Sequence, residues 1–365
     1  MDSTIIEVEE QEKYQDTVFN QLDFQTEILN SAKRLFMLIA GVGAGKNYWV
    51  KTLTERGHED KGYSPDGYKV LLITSRTATV NAQCIKLDAD KRFHFADLRQ
   101  YGDWWGDEPP TQKVVCCTNS YIEWYAENLY DPDNPKTHVW NMFDFIILDE
   151  AHSMTCDATF SEAPFHVQAF LRHAYREGNK CRIVMMSGTP EPIKWLYEGA
   201  ANQKDVKIIN LYKKCRHLEP THVRIRPLPG LAERILDNLR NGKRIIYFAT
   251  TSNNMQALVE DLKANGVPLA DIGIAYSDDP EKDKKFDPEL VEKRTRIQEA
   301  LSKDEVLPAD IKIFITTSKN KEGININDPD IKDMIVESHQ RDEVRQMAGR
   351  VREGLEHLVI VGDAA

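Results

Sequence analysis

Ile147-Leu148-Asp149-Glu150-Ala151-His152 decides the reading of this chain: an apolar run stops abruptly at two carboxylates, an alanine and a histidine. A strand buried in a parallel sheet reads as continuous aliphatics, and open α/β sheets bind ligands at the carboxyl ends of their strands. Two adjacent acids there suit a magnesium nucleotide, one holding the metal's water shell and one orienting or deprotonating an attacking water. Upstream, the strand-like run 34–39 leads into Ala40-Gly41-Val42-Gly43-Ala44-Gly45-Lys46-Asn47, and a helical stretch follows from Lys46 to about Glu55. A strand, a glycine-rich turn and a lysine opening a helix make a phosphate-binding loop. Gly41, Gly43 and Gly45 let the backbone turn tightly and present N–H groups to phosphate oxygens. The helix N-terminus adds partial positive charge, and Lys46 adds a point charge.

Asn47 stands where the loop pattern has a hydroxyl that ligates Mg²⁺. Its amide is longer and offers a neutral carbonyl oxygen, which Mg²⁺ accepts while keeping several waters. Asn47 and Asp149 are therefore the expected metal contacts. A tolerated natural variant, a weakened ATPase and an engineered change all remain open; the first is preferred.

The chain's 365 residues allow two domains of ordinary size. No apolar run approaches the ~18 residues of a membrane span, and the acidic N-terminus lacks the basic and apolar regions of a secretory signal. Cys84, Cys116, Cys117, Cys156, Cys181 and Cys215 show neither C-x-x-C pairing nor zinc spacing. Reduced thiols in a cytoplasmic or nucleoid-associated protein are expected. A net charge of −11 excludes nucleic-acid binding by bulk attraction, so any such contact must be a localised groove.

Strand-like runs at 34–39, 69–74, 113–117, 145–149, 182–187 and 206–211 alternate with helical stretches, the pattern of βαβ units. A polar, basic stretch at 213–220 reads as a linker. A second series follows at 223–226, 244–248, 272–276, 312–316, 334–337 and 358–361, separated by helices that include 253–264 and 288–302. The expected architecture is α/β: an N-terminal lead-in and helix (1–30), a first domain (31–212), the linker, and a second domain (221–365). With one phosphate loop for two similar lobes, ATP is expected in the cleft between them.

With these residues in hand, the chain resembles a superfamily 2 helicase of the DEAD/DEAH-box kind, built from two tandem RecA-like domains. The likeness runs from about Gln25 to Arg352. It implies that Asp149 organises Mg²⁺, that Glu150 acts as base or positions the water, and that His152 relays to the other lobe. Ser187-Gly188-Thr189-Pro190 is similar to the Ser-Ala-Thr element that couples hydrolysis to lobe movement, through Ser187 and Thr189. Ser75 and Arg76 after the second strand, Thr118 after the third, and Thr251 and Thr317 in the second lobe match places where such helicases grip the nucleic-acid backbone; hydroxyls and an arginine bind phosphates without reading sequence.

Gly323 falls in the element joining the γ-phosphate and nucleic-acid sites, and Gln25, after Phe24, stands where an adenine-reading glutamine is found. Gln346-Met347-Ala348-Gly349-Arg350-Val351-Arg352 looks like the segment that supplies arginine fingers. Many family members carry two arginines three residues apart. Here Glu353 takes the second place and Arg352 is one short, about 100° away around a helix, so Arg350 is the preferred finger. Trp104-Trp105 can stack on a base, although packing on the first lobe is the simpler reading.

The expected activity is an ATP- and Mg²⁺-dependent helicase, a monomer acting on DNA or RNA with single-stranded DNA favoured and no membrane partner. A translocase that does not separate strands, and a nucleotide-gated binding module with weakened turnover, are the alternatives.

Overall fold

Every strand-like run read from the sequence forms a strand, and among the described residues one further short strand joins them. In chain order these are β1 (Ile5–Glu7), β2 (Leu35–Ile39), β3 (Val70–Thr74), β4 (Val114–Thr118), β5 (Phe145–Leu148), β6 (Arg182–Ser187) and β7 (Val206–Asn210). They continue with β8 (His222–Arg226), β9 (Arg244–Ala249), β10 (Ile272–Ala275), β11 (Ile313–Thr317), β12 (Ile331–Val336) and β13 (His357–Val361). The structure is a computed structural model and describes residues 5–7, 17–75, 114–156, 158, 161–177, 181–189, 193, 205–215, 222–226, 231–276, 280–317, 325–338 and 340–361. Contacts divide the chain into two units, Tyr14–His217 and Leu218–Ala365 with Met1–Lys13.

The sheet of the Tyr14–His217 unit has the order β4-β3-β5-β6-β2-β7 and is parallel throughout. Pleating sends alternate residues to opposite faces. Phe36, Leu38, Ile147 and Val184 pack under the helix Lys46–Thr54 through Trp49, Val50 and Leu53. Met37, Ile39, Leu148 and Met185 pack under the helices Asn119–Asn128 and Ala163–Glu177. With both faces covered, these strands have no polar side to show, which is why they read as unbroken aliphatic runs.

The second sheet has the order β1-β8-β13-β12-β9-β11-β10, parallel except for β1, which runs antiparallel on β8 with Ile5 opposite Arg224. Three residues carry too little pattern to announce a strand, so β1 was not legible in the sequence. β12 starts at Ile331, before the expected 334, because a buried acid interrupts its aliphatic run. Asp333 is 3% exposed and faces Arg234 at 3.6 Å, Lys243 at 3.7 Å and His357 at 3.4 Å. A buried carboxylate is tolerated when cations stand beside it, as Arg234 and Lys243 do here.

Candidate active site

The strand order brings the phosphate loop and the acid box to one edge of the N-terminal sheet. Only β6 separates β2 from β5, and neighbouring strands lie about 4.8 Å apart, so the two loops open roughly 10 Å from each other. That gap suits a phosphate chain with its metal.

Gly43 and Gly45 both take positive φ, +82° and +80°, and Gly45 caps the helix that starts at Lys46. Gly41 and Ala44 are buried, Val42 and Gly43 half-buried. The Ala44 carbonyl accepts a hydrogen bond from the Val18 N–H at 2.9 Å, which pins the loop to the short helix Val18–Gln21. Lys46 is 8% exposed, and its Nζ donates to the Ala40 and Gly41 carbonyls at 3.1 and 3.2 Å. The lysine is thus folded over its own loop, at the place where phosphate oxygens can replace those carbonyls. Asn47 Oδ1 is buried and has no hydrogen-bond partner. A buried, unpaired carbonyl oxygen is costly unless a ligand completes it.

The acid box turns sharply between two neighbours. Asp149 N–H bonds to Ile73 of β3 at 2.9 Å, and Ala151 N–H bonds to Met186 of β6 at 2.8 Å. Between them Glu150 sits at φ +49°, a left-handed conformation that is uncommon for a residue with a side chain. Such strain clusters at working sites. Asp149 is 3% exposed, and its Oδ1 accepts the Glu150 N–H at 3.0 Å. His152 is buried, with Nδ1 3.5 Å from Glu150 Oε2 and 3.1 Å from Ser187 Oγ. Ser187 Oγ also accepts the Thr189 N–H at 3.1 Å. One continuous set of contacts therefore runs from Glu150 through His152 to the end of β6.

Gly188 explains why β6 can approach the lysine. A Cβ there would lie 3.3 Å from Val42 Cγ2 and 3.4 Å from Lys46 Nζ. Alanine fits only with a small shift, and any larger side chain displaces the lysine or the loop.

The remaining expected residues fall out unevenly. Gln25 is exposed at the start of the π-helical turn Gln25–Leu29, with its side chain lying against Gly62, while Phe24 is buried and stacks on Tyr63 with centroids 4.2 Å apart. Ser75 is half-buried after β3. Thr118 caps the helix Asn119–Asn128 by accepting the Tyr121 N–H at 3.2 Å, which leaves its own O–H to donate. Thr251 caps the helix Ser252–Ala264 and donates to Asn254 Oδ1 at 2.9 Å. Thr317 is buried at the end of β11. Arg76, Trp104, Trp105, Pro190 and Gly323 lie outside the described residues.

In the second unit Gln346 is buried within the helix Arg341–Ala348. That helix ends before both arginines, so the angular argument made from helical spacing does not apply to them. Instead Val351 bridges Ile326 in parallel, and the two flanking residues diverge in role. Arg350 is 8% exposed, and its buried Nε has no hydrogen-bond partner. Arg352 donates through Nε and Nη2 to Asn325 Oδ1, and Asn325 in turn donates to Glu305 at 2.8 Å.

Sequence reading missed Glu337. Its carboxylate accepts from the Tyr247 hydroxyl, from the Thr250 N–H at 2.8 Å and from Asn254 Nδ2 at 2.8 Å, while its carbonyl accepts from Thr250 Oγ1 at 2.7 Å. Burial, reinforced by Glu337, raises the Tyr247 pKa well above the ordinary range, so the hydroxyl stays a donor. An acid at the end of one parallel strand beside a Thr-Thr-Ser turn on its neighbour was the available signal.

No protein-family model matches the sequence, and no curated protein matches it. Solved structures do share its fold. The Mycobacterium smegmatis helicase Lhr bound to ssDNA and AMP-PNP is similar over 91% of this chain and 44% of its own, at 15% identity and a TM-score of 0.58. The DUF1998 helicase MrfA bound to DNA and AMPPNP is similar over 100% of this chain and 52% of its own, at 12% identity and 0.58. S. cerevisiae Dbp5 bound to RNA and ADP BeF3 is similar over 92% of this chain and 81% of its own, at 14% identity and 0.56. This chain spans about half the length of the Lhr and MrfA chains. At these identities the likeness is one of fold: two RecA-like units, each a mainly parallel sheet flanked by helices. No helix among the described residues is long and apolar enough to cross a membrane.

Proposed function

We propose that this protein is an ATP-dependent helicase that couples hydrolysis to movement along nucleic acid and to strand separation. The observation that carries the reading is the meeting of three loops on neighbouring strand ends: Lys46 over the phosphate loop, the Asp149-Glu150 pair, and His152 against Ser187. Lys46 and the loop N–H groups bind the phosphates, and Gln25 reads the adenine. Glu150 holds or deprotonates the attacking water. A change at Glu150 passes through His152 and Ser187 to Thr189.

A magnesium ion fits the donors present. Asn47 Oδ1 is buried and lacks a partner, and Asp149 is a buried carboxylate, so the set is all oxygen, as a hard cation requires. These two residues would hold the ion, which would neutralise phosphate charge. In the second unit Arg350, supported by Gln346 and Arg352, supplies positive charge to the transferring phosphoryl group. Ser75, Arg76, Thr118, Thr251 and Thr317 grip the strand backbone, with single-stranded DNA as the favoured substrate and a monomer as the working form.

The test compares ATP hydrolysis with single-stranded DNA, duplex DNA and RNA side by side, with strand displacement measured in parallel. Stimulation by single strands together with displacement is the expected result; a rate that no nucleic acid alters overturns the reading, and stimulation without displacement reduces it to a translocase. Asn47 gives one specific reason to weigh a nucleotide-gated binding module, for which tight ATP binding without phosphate release is the signature. Asn47→Thr is expected to shift the Mg²⁺ concentration that half-saturates nucleotide binding, measured by fluorescence titration. Superimposable curves would remove Asn47 from the metal.

A further inference from the structure

We propose that the N-terminal unit carries a second binding site, for a small apolar anion such as a hydrophobic carboxylate or sulfonate, in a cavity that borders the acid box. The cavity has a volume of about 440 Å³, within the roughly 300–1,000 Å³ of small-molecule sites. It lies on the sheet face that packs against the helix Ala163–Glu177, whereas the phosphate-loop helix Lys46–Thr54 covers the other face.

Its floor is aliphatic, made by Leu35, Leu148, Met185 and Val206 from four strands. Phe165 lines it while remaining 59% exposed. A large aromatic left open to water beside a concave apolar floor is the usual arrangement of a ligand pocket rather than of a finished core.

The charge on the lining points to the ligand's sign. Arg172 and Arg176 stand one turn apart on the helix, both exposed. Neither has an ion pair among the described residues. Like charges at this spacing repel, and an anion beside them relieves the repulsion with directed N–H donors. The lining holds one acid, Asp205, against the two arginines, so its net charge is positive. The Arg34 guanidinium lies 5.2 Å over the Tyr175 ring and adds to the positive character nearby. An apolar body with one negative group satisfies both halves of the cavity. A cation or a neutral sugar satisfies neither. Ala151 and Met154 also line the cavity, so an occupant lies beside the turn that carries Asp149 and Glu150.

The experiment titrates the full chain with the fluorescent sulfonate 8-anilinonaphthalene-1-sulfonate and with its uncharged analogue N-phenyl-1-naphthylamine. The expected result is saturable binding of one sulfonate per chain that excess ADP with Mg²⁺ does not displace. Arg172→Ala with Arg176→Ala is expected to weaken the sulfonate at least tenfold and to leave the uncharged probe within twofold, which also reports an intact cavity. Arg172→Lys with Arg176→Lys is expected to restore most of the loss. Ala158→Phe, which narrows the cavity, is expected to weaken both probes. Equal sulfonate affinity in the double alanine variant, displacement by ADP, or several equivalent weak sites would each overturn the assignment.

Discussion

Glu150→Gln is expected to lower nucleic-acid-stimulated ATP hydrolysis by about 10²–10⁴-fold, the contribution of a positioned general base, while nucleotide affinity stays within a few-fold. Glutamine preserves size and the backbone turn, including the φ of +49°, but it cannot accept a proton and interacts more weakly with His152. The pair to set beside it is Lys46→Ala. Lys46 Nζ now spans two loop carbonyls, and its loss removes the point charge that phosphate oxygens meet first. Nucleotide affinity is therefore expected to fall together with turnover. Equilibrium binding of a fluorescent ATP analogue separates the variants: binding kept in Glu150→Gln and lost in Lys46→Ala. A stimulated rate unchanged in either variant would refute the assigned roles.

Arg350→Ala is expected to cost about 10³–10⁵ in turnover, the range for arginine fingers in comparable phosphoryl-transfer enzymes, with little change in stability. The side chain is buried, yet its Nε has no partner. That nitrogen is available to a ligand's oxygen. Arg352→Ala is expected to behave in the opposite way. Its guanidinium holds Asn325, which holds Glu305, so truncation should cost about 1 kcal/mol in denaturant unfolding and only a modest part of the rate. If Arg352→Ala proved the more damaging to hydrolysis, the two assignments would exchange, and with them the reading of the segment from Gln346 to Arg352.

The periodic information in this chain is unusually local. Each buried parallel strand announces itself because both of its faces are covered, and the phosphate loop and acid box announce themselves because their chemistry depends on neighbours in sequence. β12 shows where that logic fails: Asp333 breaks the run, and only Arg234, Lys243 and His357 gathered around it make the strand intelligible. The helical angle assumed for Arg350 and Arg352 failed for a related reason. Gly349 is a local stop signal for the helix, but nothing local shows that the chain beyond it turns to pair with Ile326.

By itself the sequence determined the parallel α/β class and the two series of strands, since these follow from hydrophobic pattern, and motifs shorter than a helical turn supplied the residues proposed for phosphate and acid chemistry. The tertiary structure alone decided that β6 stands between the phosphate loop and the acid box, that His152 meets Ser187, and that Glu337 gathers Tyr247, Thr250 and Asn254. It also decided which of two arginines is already engaged. Those outcomes depend on the order in which strands pair, and strand order is set by packing between segments far apart in the chain, about which adjacent residues carry no record.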